Sequence, residues 1–285
     1  MFLQKMSPIL LKTSPVSWNF GKRCLQSSTT LSPAYVASAQ AANRRARVAL
    51  AAAYRGLDKL GLNEGVCNHL TLRAPAANGE GEVLLLIPYG LHWSEVTASS
   101  LLGLNEKNKV VEGDGPAEIS AASIHRGIHN ARSKDISCVM HTHMPYATAL
   151  AVLQDPTLRM CHQNCLRFYD NIAYDTDYQG LAEDVCEGDR MARALGKNDA
   201  MIMRSHGVMV VGPTVARAFD TMYYLERACQ IQVMAMWTGK PLVEIEEEMC
   251  KKSKAVMDRL NDEYARAFFD SLLRRLRKEC PDFEN

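Results

Sequence analysis

The chain has 285 residues, with 33 lysines and arginines against 32 aspartates and glutamates, a formal net charge of +1. At 47% hydrophobic and 23% charged residues, it has the composition of a soluble globular protein of one large domain or at most two, not of a collagen or a disordered chain. No run approaches the ~20 apolar residues of a spanning helix, and the balanced charge offers no basic surface for nucleic acid.

The balance hides an asymmetry. Residues 1–57 contain no acid, while Lys5, Lys12, Lys22, Arg23, Arg44, Arg45, Arg47 and Arg55 lie within them. Serine and threonine recur through residues 7–32, and this is the composition of a mitochondrial transit peptide. The plain alternative is a disordered leader without an address. Beyond residue 57 there remain 25 basic against 32 acidic residues, about −7. Residues 1–33 are accordingly expected to be a leader, 34–245 a folded domain and 246–285 a charged helical extension.

From 34 to 60 the chain is Ala-rich, and Leu50, Ala53, Tyr54 and Leu57 fall on one helical face that ends near Gly61. Val83–Ile87 reads as a buried strand closed by Pro88 and Gly90. Residues 118–132 read as a helix with Ile119, Ala122, Ile128 and Ala131 inward. Ile136–His143 is a strand, stopped by Pro145 and followed by a helix over 146–153. A helix over Gly180–Leu195 ends at Gly196. Ala200–Arg204 and Gly207–Val211 form a hairpin about Ser205-His206. Thr214 caps a long helix to Thr238, stopped by Gly239 and Pro241, and the tail from Val243 is charged and helical. The sum is a single α/β or α+β domain with a mixed sheet between helices.

Nine cysteines, with no C-x-x-C pair, read as reduced thiols of an intracellular protein rather than a disulfide framework. Cys161-x3-Cys165 has a soft-metal spacing, but scattered core cysteines are the simpler account.

The histidines carry the chemistry. They lie at 69, 92, 125, 129, 141, 143, 162 and 206. His141 and His143, two apart at a strand end, present their rings to one side about 6.5–7 Å apart along the backbone. His206 in its turn can join them. Three histidines leave one position of a zinc shell open for water or substrate, the pattern of a catalytic site. The metal-free alternative is a set of hydrogen-bonded histidines at strand ends.

The runs VMHTHMPYATALAVL and IMRSHGVMVVGPTVARAFDTMYYLERACQIQVMAM resemble the class II aldolase/adducin family over about residues 45–240. LIPYGLHWSEVTASSLLGLN is closer to adducin heads than to sugar-phosphate aldolases. The resemblance implies a three-layer α/β/α sandwich with a central mixed, largely antiparallel sheet, assembled as a homotetramer. It implies Zn²⁺, or another divalent metal, on His141, His143 and His206. It also implies a carboxylate four residues before His125, where this chain has Ala121; Glu118 is the substitute candidate for the catalytic group. Tyr89 or a tyrosine from a neighbouring subunit are other acid/base candidates. The family's phosphate loop falls on Cys67-Asn68, Pro88-Tyr89-Gly90 and Ser120, which makes Asn68, Gly90 and Ser120 the candidate substrate-binding residues. Tyr89 replaces a small hydroxyl and Ile119 precedes the one remaining serine, so only part of a phosphate cradle is kept.

Two functions follow. One is a zinc-dependent aldolase or lyase acting on a small carbonyl or sugar-derived substrate, cytoplasmic or mitochondrial. The other is an adducin-like oligomeric protein that binds actin and spectrin without catalysis, although the tail after Lys251 carries no Lys-rich, Ser-containing block. A metal-dependent sugar-binding module without turnover is a weaker third.

Overall fold

The computed structural model describes residues 31–178, 180 and 186–285. The leader expectation for residues 1–33 therefore lies almost wholly outside the described residues, as does the start of the helix expected from Gly180. Ser32–Asn285 form one compact unit.

The first helix, α1 (Pro33–Lys59), is started by Ser32, whose hydroxyl accepts from the Tyr35 amide at 3.3 Å, with proline at its first turn. It ends at Leu60, followed by Gly61 at φ +67°. Its second half, Leu50 to Leu57, is fully buried, as the apolar spacing predicts. Four of the eight basic residues in the acid-free run, Arg44, Arg45, Arg47 and Arg55, belong to this folded helix. Arg47 is 8% exposed. Its guanidinium donates to Asn43 at 2.7 Å, to the Leu101 carbonyl at 2.6 Å and to Glu112 at 2.6 Å.

Strands β1 (His69–Pro75), β2 (Glu82–Leu86), β3 (Leu102–Leu104) and β4 (Val110–Glu112) follow, then helix α2 (Ile119–Ala131) and strand β5 (Cys138–Thr142). After them come α3 (Pro145–Ala151), β6 (Ile172–Asp175), α4 (Cys186–Leu195), β7 (Ala200–Met203), β8 (Gly207–Gly212), α5 (Val215–Met236) and α6 (Glu247–Glu279). The eight strands form one sheet in the order β4-β3-β2-β1-β5-β8-β7-β6. Every pairing is antiparallel except β6 with β7.

Alternation along the strands makes the three layers, because successive side chains point to opposite faces. Leu70, Leu72, Met140, Val208 and Val210 pack with α1, α3, α5 and α6 in one large core. Val139, Met201, Met209 and Val211 turn the other way, onto Ile128 of α2 and Met191 and Leu195 of α4. The fold is the expected α/β/α sandwich.

Two details differ from expectation. Ile119 is 49% exposed and Ala131 is exposed, so neither lies on the inner face of α2. That face is Ala121, Ala122, His125, Ile128 and His129: two buried histidines occupy positions where an apolar pattern is sought. The C-terminal residues, for their part, pack into the main core. Phe269, Leu272, Leu276 and Phe283 join it, while the glutamates at 246–248 and the basic cluster at 274–278 stay in solvent. Phe219 is buried against Phe268 and Phe269, whereas Trp237 at the end of α5 is 71% exposed.

Arg47 ties α1 to the edge strand β4. The substitution Arg47→Met removes every one of its bonds and leaves Glu112 partly buried without a cation. A stability loss of about 3 kcal/mol is expected, read from the urea midpoint.

Candidate metal centre

Sheet pairing builds the site. In the β5–β8 ladder His141 lies opposite Met209, and in the β1–β5 ladder it lies opposite His69. His143 follows β5 directly, before the proline that starts α3. The β7–β8 turn supplies His206, next to Ser205 at φ +54°. Gly207 must be glycine for want of space: a Cβ there would lie 2.6 Å from the Thr142 carbonyl and 2.7 Å from the His143 ring.

One ligand atom from each of His141, His143 and His206 falls within 4.8 Å of the others. The rings are 4.7–5.0 Å apart, centroid to centroid. Nδ1 of His141 donates to the Val208 carbonyl at 2.9 Å, and Nδ1 of His143 bonds Glu64 at 2.5 Å. Both hydrogens are thereby used on the outer side, which leaves the two Nε2 atoms with lone pairs facing each other at 3.1 Å. Two lone pairs that close repel unless a cation lies between them. Tetrahedral coordination at 2.0–2.1 Å puts ligand nitrogens about 3.4 Å apart, so the pair is spaced for such an ion. Burial pushes His141 far below the usual histidine range, and the neighbouring His69 and His206 add to this. Burial and His143 also lower His206, partly offset by Asp175 and Glu187. Neutral imidazole is the form that binds metal.

Glu64 holds His143 as a carboxylate behind a metal-binding histidine does. Glu64→Ala is expected to weaken zinc binding about tenfold, measured by competition with a chromophoric chelator.

The three rings open onto a cavity of about 570 Å³, within the range of small-molecule sites. His69, His125, Glu118, Ser120, Ala121 and Tyr89 line one side. On the other, Arg190 bridges Asp175, at 2.7 and 2.8 Å, and Glu187, at 2.6 and 2.8 Å.

The expected site residues do not all converge. Glu118 lines the cavity, accepts the Ser120 hydroxyl and approaches His69 Nε2 to 3.7 Å. It precedes α2 but makes no side-chain cap bond. Ser120 lines the cavity with its hydroxyl spent on Glu118. Ala121 lines it without a polar atom. Gly90, exposed at φ +88°, is absent from the lining, where its neighbour Tyr89 stands. Asn68 is 1% exposed, and its carbonyl oxygen accepts from the Glu64 and His143 amides at 2.9 and 3.3 Å. Its Nδ2 is a buried donor without a partner. Trp93, packed edge-on against Tyr54, donates to the Asn68 carbonyl at 3.3 Å and so fixes this loop.

Cys161 and Cys165 do not join the histidine cluster, and Cys67, Cys138, Cys161, Cys165, Cys229, Cys250 and Cys280 are free thiols. His69 and Glu64 are the residues that sequence reasoning missed. The alternation His69-Leu-Thr71-Leu was the available signal, since it places His69 and Thr71 together opposite Leu70 and Leu72.

Comparison with known proteins gives a consistent result. The family model described as class II aldolase and adducin N-terminal domain matches residues 48–233. A putative aldolase class 2 protein of Pseudomonas aeruginosa is 30% identical over 253 residues, 87% of this chain and 95% of that one. Alpha-adducin of Mus musculus is 35% identical over 194 residues, 67% of this chain but 25% of the adducin. The chain thus spans about a quarter of the adducin's length. The crystal structure of an aldolase II superfamily protein from Pseudomonas syringae superposes with a TM-score of 0.78 at 29% identity, covering 90% of this chain and 98% of that one.

Proposed function

The chain belongs to the class II aldolase and adducin family, and from that premise we propose that it is a zinc-dependent lyase cleaving a small hydroxy-carbonyl compound. The observation that carries this reading is the triad of His141, His143 and His206, with two Nδ1 hydrogens tied back and two Nε2 lone pairs turned inward. Bound there, zinc supplies Lewis acidity that polarises a carbonyl oxygen and stabilises negative charge on it. The protein's part is to hold His141 in place through the Val208 carbonyl and His143 through Glu64.

Glu118 is the acid/base candidate in the absence of a carboxylate at Ala121. Its carboxylate faces the cavity beside His69, and Ser120 orients one oxygen. Tyr89, 56% exposed at the cavity, is the other on this chain. Of the three expected substrate contacts only Ser120 lines the cavity, through the Glu118 carboxylate it bonds; Asn68 is buried behind the lining as a brace for Glu64 and His143, and Gly90 acts at most through the backbone turn that presents Tyr89. Two of the small donors of a phosphate cradle are replaced or spent, which favours a substrate without a tightly held phosphate.

Retro-aldol cleavage of ketoses and ketose 1-phosphates by zinc-loaded protein tests the reading. Expected is carbonyl product that vanishes with a chelator and falls at least tenfold in Glu118→Gln. Turnover unaffected by chelation rules the reading out.

A second reading is favoured by Ala121 and by the adducin similarity: an oligomeric, non-catalytic partner of actin filaments. Co-sedimentation with F-actin would support it. The family resemblance also proposes a homotetramer, to be checked by light scattering. A reporter fused to residues 1–45 distinguishes mitochondrial from cytoplasmic placement. Among the described residues no helix is long and apolar enough to cross a membrane.

A further inference from the structure

A line of buried polar side chains runs from the cavity into the α2 layer, and the metal site does not use it. His69 Nδ1 lies 3.2 Å from His125 Nε2. His125 Nδ1 lies 2.8 Å from the Thr71 hydroxyl, which lies 2.9 Å from His129 Nε2. Thr71, His125 and His129 are each no more than 2% exposed. The last atom of the line, His129 Nδ1, is buried and has no partner. Such a line costs free energy to bury unless each hydrogen has its acceptor.

The orphan fixes the direction of every hydrogen. Burial disfavours the charged form of His125 and His129, and a neutral ring carries one hydrogen. A buried N–H without an acceptor is the rarer and costlier orphan, so His129 Nδ1 is the bare nitrogen. Its hydrogen is then on Nε2 and is donated to Thr71. The Thr71 hydroxyl has one hydrogen, and its remaining neighbour is His125 Nδ1, which accepts it. The hydrogen of His125 is therefore on Nε2, and it is donated to His69 Nδ1. What remains for His69 is a hydrogen on Nε2, the nitrogen that faces Glu118 at 3.7 Å across the cavity lining. That separation is too long for a hydrogen bond, so the donor is free to take an oxygen of a bound molecule.

We propose that His129, Thr71 and His125 are positioning residues that lock His69 as its Nε2–H tautomer, and that His69 donates this hydrogen bond to a carbonyl or hydroxyl oxygen of the substrate. Opposite His141 in the β1–β5 register, with its ring 5.2 Å from that of His141, His69 stands beside the metal-ligating triad without belonging to it. It thus places a hydrogen-bond donor in a cavity whose wall carries Ala121. The proposal rests on the lyase reading only in taking the substrate to be an oxygen-rich carbonyl compound.

Long-range proton–nitrogen NMR of the histidine side chains tests it on the full chain, with and without zinc. The expected spectrum shows His69 as the Nε2–H tautomer in both states. Thr71→Val keeps the shape and removes the hydroxyl, and it is expected to give a mixture of His69 tautomers, whereas Thr71→Ser restores the single form. Dihydroxyacetone, titrated into zinc-loaded protein, should shift the His69 Nε2–H resonance and bind roughly fivefold more weakly to Thr71→Val. An Nδ1–H tautomer in the wild type, or an unchanged tautomer in Thr71→Val, overturns the relay. An unmoved His69 resonance across the titration overturns the donor role. Failure of the metal reading would instead appear as absent zinc binding, with the metal-free tautomers intact.

Discussion

His141→Ala is expected to abolish stoichiometric zinc, with metal content falling from about one ion per chain to under a tenth after dialysis. Zinc sites release about 10–16 kcal/mol over their ligand set, so one ligand of three or four is worth roughly 3 kcal/mol, over a hundredfold in affinity. His141 is the ligand whose loss does most damage. It is 4% exposed, its ring packs against those of both His143 and His206, and its Nδ1–H is already anchored on the Val208 carbonyl. The nearest other imidazole, His69, is held off by the bond between its Nδ1 and His125. His92→Ala, at a half-buried histidine that lines no part of the cavity, is the control and should retain full zinc. Equal zinc in His141→Ala and His92→Ala would place the metal elsewhere.

Gly207→Ala should damage stability and metal binding together. A methyl group there meets a backbone carbonyl at 2.6 Å and the His143 ring at 2.7 Å, both far inside contact distance. The carbonyl cannot yield without disturbing β5, so His143 must move and break from Glu64. A loss of about 2 kcal/mol in apo stability is expected, seen as a lower Tm in chelator, with zinc affinity reduced at least tenfold. The two readouts separate the causes: a lower Tm with unchanged zinc affinity would show that His143 keeps its position.

The same glycine shows how far the sequence was legible. The R-S-H-G run marked His206 as a turn residue, and the H-x-H spacing marked the pair it joins, because two-residue periodicity and a tight hairpin are local properties. Val83–Ile87, the hairpin and the Thr214-capped helix were legible for the same reason. The Thr214 hydroxyl indeed accepts from the Arg217 amide at 3.2 Å. The α2 face was misassigned because its inner positions are partly histidine, and polarity disguises burial that only hydrogen bonding to β1 makes tolerable. His69 was missed because its strand is recognised through pairing with β5, which is a long-range fact. Glu64 was missed because a loop carboxylate acquires meaning only when His143, 79 residues on, arrives beside it.

The family match covers residues 48–233 and leaves the acid/base chemistry open. Ala121, Tyr89 and Cys67 lie where the family resemblance calls for a carboxylate, a small hydroxyl and a glycine. In their place this cavity offers Glu118 on Ser120, an Arg190 bridged by two carboxylates, and His69 at the end of a buried hydrogen-bonded line. That combination suits an oxygenated, weakly charged ligand better than a tightly gripped phosphate.

Zinc K-edge X-ray absorption on the purified protein tests the central claim most directly. Three imidazole nitrogens at about 2.0–2.1 Å with one further light atom, reduced to two nitrogens or lost in His206→Ala, is the result expected. A sulfur ligand at about 2.3 Å, or a protein that takes up no stoichiometric zinc, would contradict it.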